Sequence, residues 1–306
     1  MPLLTAANRP TTSAGQRFRE LLERPGILRI PGAHNGHAAL QAQQAGFNAL
    51  YLSGAAMSAS MGLPDLGIIT IDDVVFFIRQ IVRATGLPLL VDGDTGYGEA
   101  LNVMQMVRAF EEAGAAAVHL EDQRLPKKCG HLNDKQLVPL DEMAVKIAAA
   151  VQARRDLVIV ARTDAVAGEG MQAAMRRVEA YLNAGADAIF PEALTSEAML
   201  REFAEAFPGV PLLANMTEFG KTPHFTGEQF EQFGYKMVIW PVTSLRMANH
   251  AQAVLYAELA KSDSAEALLG QMQTRAELYE TINLAGYEAL DQSIVQTVLP
   301  TTGDNE

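Results

Sequence analysis

The chain has 306 residues, a formal net charge of −12, 49% hydrophobic and 20% charged residues. Those figures fit a globular protein with a large core, either two ordinary domains or one large α/β barrel. The acidic balance argues against a nucleic-acid surface, and a single cysteine excludes an internal disulfide framework and fits a reducing compartment.

The N-terminus lacks a charged segment followed by a long apolar run, so no signal peptide is expected. Roughly the first 15 residues read as an arm and the last dozen as a loose tail. Strand-length apolar runs then recur at 27–30, 49–52, 87–91, 116–120, 157–160, 188–190, 210–213 and 237–240. Helical patterns lie between most of them, for example at 100–112, 140–152 and 171–183. Strands alternating with helices indicate a parallel sheet, and near-continuous apolar strands indicate burial on both faces. A weak repeat supports this: Ala45-Gly46, Ala113-Gly114, Ala184-Gly185 and Phe233-Gly234 each precede a strand. Glycine there can take the left-handed conformation that closes a helix. Eight strands spaced by roughly 25 to 40 residues predict a (β/α)8 TIM barrel rather than a doubly wound sheet. No linker divides the chain, so residues 1–306 read as one domain. The segment 265–290 looks helical, with Leu268, Met272, Leu278, Ile282 and Tyr287 on one side. A barrel does not need it, so it is expected to pack on something else. No apolar stretch approaches the roughly 18 residues of a membrane span, and we expect a cytoplasmic protein with no membrane or nucleic-acid partner.

Catalytic groups of a barrel lie just beyond the carboxyl ends of its strands. Polar residues gather there: Tyr51 and Ser53, Asp92 and Asp94, Glu121 and Asp122, Arg162 to Asp164, Glu192, Asn215 to Thr217, Ser244 and Arg246. Asp92 and Asp94, two apart at a strand end, can face the same way, and Glu121 comes from the next strand. An oxygen-only set suits Mg²⁺ or Mn²⁺ rather than zinc. Three close carboxylates repel one another unless a cation sits among them. Arg162 ends a buried strand and needs an anion, either a ligand carboxylate or a structural partner. His34 and His37 lack a nearby third ligand, and His119, inside a strand, reads as a hydrogen-bonded core residue. Gly93 to Gly98 is glycine-rich but misses the dinucleotide fingerprint.

The only cysteine, Cys129, sits in Lys-Lys-Cys-Gly-His at 127–131. A lone cysteine is most often a small buried hydrophobe. Here Lys127, Lys128 and His131 favour the thiolate and mark Cys129 as a candidate acid or nucleophile.

These motifs resemble the isocitrate lyase and phosphoenolpyruvate mutase superfamily, and more closely its short 2-methylisocitrate lyases, over about residues 15–295. The carrying motifs include Tyr-Leu-Ser-Gly at 51–54, Gly-Leu-Pro-Asp-Leu-Gly at 62–67, Val-Asp-Gly-Asp-Thr-Gly-Tyr-Gly at 91–98 and Lys-Lys-Cys-Gly-His at 127–131. Ala-Arg-Thr-Asp-Ala at 161–165, Phe-Pro-Glu-Ala at 190–193 and Ala-Asn-Met-Thr-Glu-Phe-Gly at 214–220 add to them. The resemblance implies a barrel whose last helix crosses onto a neighbouring subunit, giving dimers assembled into a homotetramer and placing Arg275 near a site. It implies Mg²⁺ at Asp92 and Asp94, with Asp65 and Glu121 helping through water. Ser53, Gly54 and Ala55 would hold the carboxylate of the pyruvate half, with Tyr51 against it. Gly130, Arg162, Glu192, Asn215, Met216, Thr217 and Arg246 match substrate-contacting positions, and Phe190, Ile239 and Pro241 leave room for a methyl group.

The expected activity is cleavage of a small tricarboxylate, 2-methylisocitrate, to pyruvate and succinate, with Cys129 as proton donor tuned by Lys127, Lys128 and His131. The alternatives are a 2,3-dimethylmalate lyase, a phosphonate mutase or hydrolase, which Cys129 disfavours, and a binding protein without catalysis.

Overall fold

The computed structural model describes residues 4–128, 130 and 135–294. Strands β1 (Leu28–Pro31), β2 (Leu50–Leu52), β3 (Leu89–Asp92) and β4 (Ala117–Glu121) are followed by β5 (Val158–Thr163), β6 (Ala188–Pro191), β7 (Leu213–Asn215) and β8 (Met237–Trp240). All neighbouring pairs are parallel, in the orders β2-β3-β4-β5-β6 and β1-β8-β7. The bridges Gly32↔Tyr51 and Ile189↔Leu212 join the two sheets into a closed (β/α)8 barrel.

Helix α1 (Ala14–Glu23) precedes β1, α2 (Gly36–Gln44) joins β1 to β2, and α3 (Gly54–Ser60) and α4 (Ile71–Thr85) lie before β3. Further helices are α5 (Ala100–Ala113), α6 (Leu140–Ala153), α7 (Ala165–Glu169), α8 (Met171–Asn183), α9 (Glu197–Ala206) and α10 (Gly227–Gln232). After β8 come α11 (Thr243–Ser262), a 3-10 turn at Glu266–Gln271, α12 (Arg275–Thr281) and α13 (Leu284–Ser293). The predicted strands fall on the observed ones within a few residues. The seventh run starts to pair late, because Pro211 has no N–H for a ladder and β7 begins at Leu213. The glycines of the repeat all have positive φ, 90° at Gly46, 102° at Gly114, 100° at Gly185 and 96° at Gly234, as the helix-closing role requires.

The two faces of the strands build two cores. Ile30, Tyr51, Leu90, Ala117, Val160, Phe190 and Met237 fill the barrel, and α1 adds Phe18 and Leu21. The alternate residues, such as Leu52, Val91, Val118, Ile159 and Val238, pack under the helices. Arg17 and Arg19 tie α1 to the carbonyls of Gly86 and Asp156. These carbonyls precede β3 and β5, so α1 closes the amino end and leaves the carboxyl end open.

The helical layer is incomplete beside β8 and β1. In α11 only Leu245 is buried, and outward-facing Arg29 on β1 is exposed. An open groove there is lined by Arg29, Phe47, Phe225, Trp240 and Met247, among others. The helical reading of 265–290 holds with a correction: the segment is broken into the 3-10 turn, α12 and α13. Asn283, with φ 57°, marks the break between α12 and α13.

Candidate active site

The strand ends converge on one cleft, which Tyr51, Ser53, Ala55, Asp65, Asp92, Glu121, Lys127, Gly130, Arg162, Glu192, Asn215, Thr217 and Arg246 help to line. Phe190, Ile239 and Pro241, expected to leave room for a methyl group, line it as well.

One side is a buried carboxylate cluster. Asp92 Oδ2 accepts from Gly54 N at 3.0 Å and Oδ1 from Asp94 N at 3.1 Å. The Lys127 ammonium lies 2.5 Å from Asp94 Oδ1 and pairs also with Asp65. Burial alone would lower the Lys127 pKa, but Asp92, Glu121, Asp94 and Asp65 outweigh it and raise it, so the group stays charged. Its charge is therefore committed to these carboxylates. Burial and the neighbouring Asp92 push Asp94 up to about 7. Asp92 goes the other way: burial is outweighed by Lys127, Arg162 and the Asp94 N–H, and by His119 at the low pH where that ring is charged, which hold it low. Burial raises Glu121 well above the usual range, and its Oε1 has no hydrogen-bond partner among the described residues.

By donor type the carboxylates suit a hard divalent cation: they are oxygen-only, Asp92, Asp94 and Glu121 are buried, and Asp94 keeps a raised pKa even beside an ammonium. Among the described residues no three histidine, cysteine, aspartate or glutamate side chains gather closely enough to hold an ion, and the Lys127 ammonium sits between Asp65 and Asp94.

Cationic and amide groups adjoin this cluster. Arg162 lies 3.0 Å from Glu121 Oε2, donates from Nε to Asp164 Oδ2 at 2.9 Å and stacks over Phe190 at 5.1 Å. It thus has the structural anions that the sequence left as one possibility, while still facing the cleft. Asn215 Nδ2 donates to Glu192 Oε2 at 3.3 Å. Arg246, at the mouth, donates to Glu218 Oε2 at 2.7 Å and to the Glu218 carbonyl at 2.9 Å. Tyr51 and His119 share a buried hydrogen bond of 2.8 Å, and burial lowers His119 to about 4, so the ring is neutral at pH 7.

Some expected residues lie elsewhere. Gly54 does not line the cleft, and its amide is bonded to Asp92. Met216 belongs to the outer core, where its Sδ accepts from Phe225 N. Asp94 sits behind Lys127 rather than at the cleft surface. Arg275 begins α12 and is not brought to the cleft of its own chain. His34 and His37 are also outside it. Cys129 and His131 lie outside the described residues. Sequence reasoning gave no role to Glu218, which carries Arg246, or to Asp164, which stood among the polar strand ends and holds Arg162. It also missed Lys135, a loop lysine whose side chain proves 4% exposed.

A barrel with metal-type carboxylates and anion donors at its carboxyl end defines a class of enzymes acting on small acidic molecules. The phosphoenolpyruvate phosphomutase family model matches residues 18–260, and the chain belongs to the phosphoenolpyruvate mutase and isocitrate lyase superfamily. Curated relatives at 45–58% identity are 2-methylisocitrate lyases, so the chain is an enzyme of the lyase class. That of Bacillus subtilis (strain 168) is 58% identical over 284 residues, 93% of this chain and 94% of the relative. Among solved structures, 2,3-dimethylmalate lyase superposes with a TM-score of 0.87 at 35% identity, covering 92% of this chain and 96% of that one. Phosphonopyruvate hydrolase in complex with oxalate and Mg²⁺ gives 0.83 at 31% identity, over 93% and 100%. Among the described residues no helix is long and apolar enough to cross a membrane.

Proposed function

We propose that the protein cleaves 2-methylisocitrate to pyruvate and succinate, with Mg²⁺ as cofactor. The single observation that carries this reading is the make-up of one cleft. Asp65, Asp92 and Glu121 line it together with Arg162, Asn215, Thr217 and Arg246. The first group suits a metal-bound 2-hydroxy acid, the second the remaining carboxylates.

Asp92 and Asp94 would hold the ion, with Asp65 and Glu121 acting through water. Once bound, it supplies Lewis-acid polarisation of the substrate hydroxyl and carboxylate oxygens. Ser53 and Ala55 border the pyruvate half at the start of α3. Loss of the hydroxyl proton lets the C2–C3 bond break, and its electron pair passes to the carbon beside a succinate carboxylate. Arg162, fixed by Glu121 and Asp164, stays positive beside that developing charge. Cys129 then gives the carbon a proton, with His131 completing the loop. Phe190, Ile239 and Pro241 form the apolar wall against the methyl group.

The incomplete helical layer supports the homotetramer built from helix-exchanging dimers. The groove beside β8 and β1 is where a barrel needs a helix, and the C-terminal segment carries exposed Tyr256, Leu269, Leu278 and Tyr287. An arm from a neighbouring chain would cover the groove and could carry Arg275 to a site.

A second reading, a 2,3-dimethylmalate lyase, draws on two observations: Arg246 is already engaged by Glu218, and Arg275 is absent from this cleft. Fewer free cations then remain for a third carboxylate. The test is kcat/KM for pyruvate release from 2-methylisocitrate, isocitrate and 2,3-dimethylmalate on one preparation. Isocitrate should react about 10- to 200-fold more slowly, for want of one methyl contact. Dimethylmalate should lose more, because its cleavage leaves polar donors unpaired. A preference for dimethylmalate moves the substrate to the second reading. Cys129→Ser should fold normally and lose several orders of magnitude in turnover.

A further inference from the structure

We infer that Gln123, Lys135 and Asp164 form a brace that positions Lys128 and Gly130 at the cleft, a role in turnover that rests on the lyase reading above. The stems of this segment are joined to each other. Gln123 bridges Leu137, Arg124 N donates to Gln136 O at 2.7 Å, and Val138 N donates to Asp122 O at 2.9 Å. Beyond the stems the described residues 124–128 and 130 form neither helix nor strand, so side chains must supply their order.

Two clamps do so. Gln123 grips Lys128 in both directions: its Nε2 donates to Lys128 O at 2.8 Å, and its Oε1 accepts from Lys128 N at 2.9 Å. The Lys135 ammonium donates to the Gly130 carbonyl and, at 2.6 Å, to Asp164 Oδ1. Asp164 is an immobile anchor, since its backbone N–H is held by Asp122 at 2.9 Å and its carboxylate takes the Arg162 fork. Gly130 is confined from its other side too. A β-carbon there would lie 2.4 Å from Glu192 Cγ and 2.6 Å from Arg162 Nη2. The carbonyl of Gly130 is thus fixed by Lys135, and its α-carbon by the cleft wall. Both residues it brings to the cleft flank the sequence position of Cys129. Gln123, Lys135 and Asp164 do not line the cleft, so they act through Lys128 and Gly130 as positioning residues.

The experiment is hydrogen exchange of the full-length protein, followed by kinetics. Lys135→Met keeps the apolar stem and removes the charge-assisted bonds. Amides of residues 123–136 should exchange about 10- to 100-fold faster, as expected for losing bonds of that kind, while the β5 peptide 158–163 stays protected. With 2-methylisocitrate, kcat should fall by a similar factor with a smaller change in KM, and Lys135→Arg should restore both protection and rate. Gln123→Glu is the second variant, usable if Lys135→Met does not fold. It keeps the acceptor for Lys128 N and removes the donor to Lys128 O, so exchange should again rise in this segment. Unchanged exchange in the folded variants overturns the brace, whatever the wild type cleaves. Faster exchange in a protein that cleaves none of the three acids keeps the brace and removes the lyase reading.

Discussion

Glu121 and Asp122 are adjacent, yet they look in opposite directions because side chains alternate along a strand. Glu121 faces the cleft. Asp122 turns toward the helices and accepts from Thr163 Oγ1 at 2.7 Å, Asp164 N at 2.9 Å and Tyr181 OH at 2.8 Å, with Arg177 at 3.4 Å. Asp122→Asn keeps the shape but loses the charge facing Arg177 and two donors' preferred partner. It should cost roughly 3 kcal/mol in urea unfolding, the scale for breaking a buried pair; an unchanged midpoint would show that the network contributes no stability. His119 gives a pH test. Burial depresses its folded-state value to about 4 from an ordinary 6.5. Between those values the unfolded chain binds a proton that the folded chain does not, so stability falls as pH falls through the window. The loss at this one site is on the order of 3 kcal/mol by pH 4. His119→Gln should flatten that part of the stability–pH curve, and parallel curves for wild type and variant would refute the depressed value. Of these residues the sequence showed the polar strand ends and the buried histidine. It could not show Glu218 or Lys135, because both act through partners more than 20 residues or a whole loop away, and single charged residues carry no period.

At the level of elements, the strand β3 and the turn that follows it decide how charge enters the barrel. The positive φ of 47° at Asp94 turns its carboxylate back toward Asp92 and Lys127. Two carboxylates so close need positive charge, and Lys127 supplies one unit. Treatment with EDTA should abolish pyruvate release and Mg²⁺ or Mn²⁺ restore it, while Asp92→Ala should lose metal binding in calorimetry together with turnover. Full activity in metal-free buffer would remove the ion from the mechanism. The barrel itself was legible for a simple reason: parallel strands buried on both faces are short apolar runs, and helix-closing glycines precede β2, β4, β6 and β8. The run 210–213 misled by a few residues because hydrophobicity records burial, whereas pairing needs an N–H that Pro211 lacks. The break at Asn283 was invisible for a related reason, since an apolar stripe continues across it.

For the molecule as a whole, the barrel leaves its surface uncovered beside β8 and β1. A parallel sheet buried on both faces should not leave Arg29 exposed and Trp240 half-buried beside a groove, and a twenty-residue helix should not bury only Leu245. The apolar residues of the arm include Met272, Leu278, Ile282 and Tyr287, each 37–44% exposed, which matches a surface awaiting a symmetric partner. Light scattering should therefore report a tetramer, and the thermal midpoint should rise with protein concentration, because association stabilises the folded chain by mass action. Deleting the residues after Gly270 should lower the oligomeric state and remove Arg275 together with its contribution to turnover. Met247→Glu separates the two effects. Met247 is 68% exposed on the single chain, so the change should leave an isolated barrel intact and harm only a groove that a neighbour fills. If the Met247→Glu protein stays tetrameric while the truncated protein is a fully active monomer, neither the crossing arm nor the role given to Arg275 survives. If both variants dissociate and lose turnover together, the site is completed across the interface.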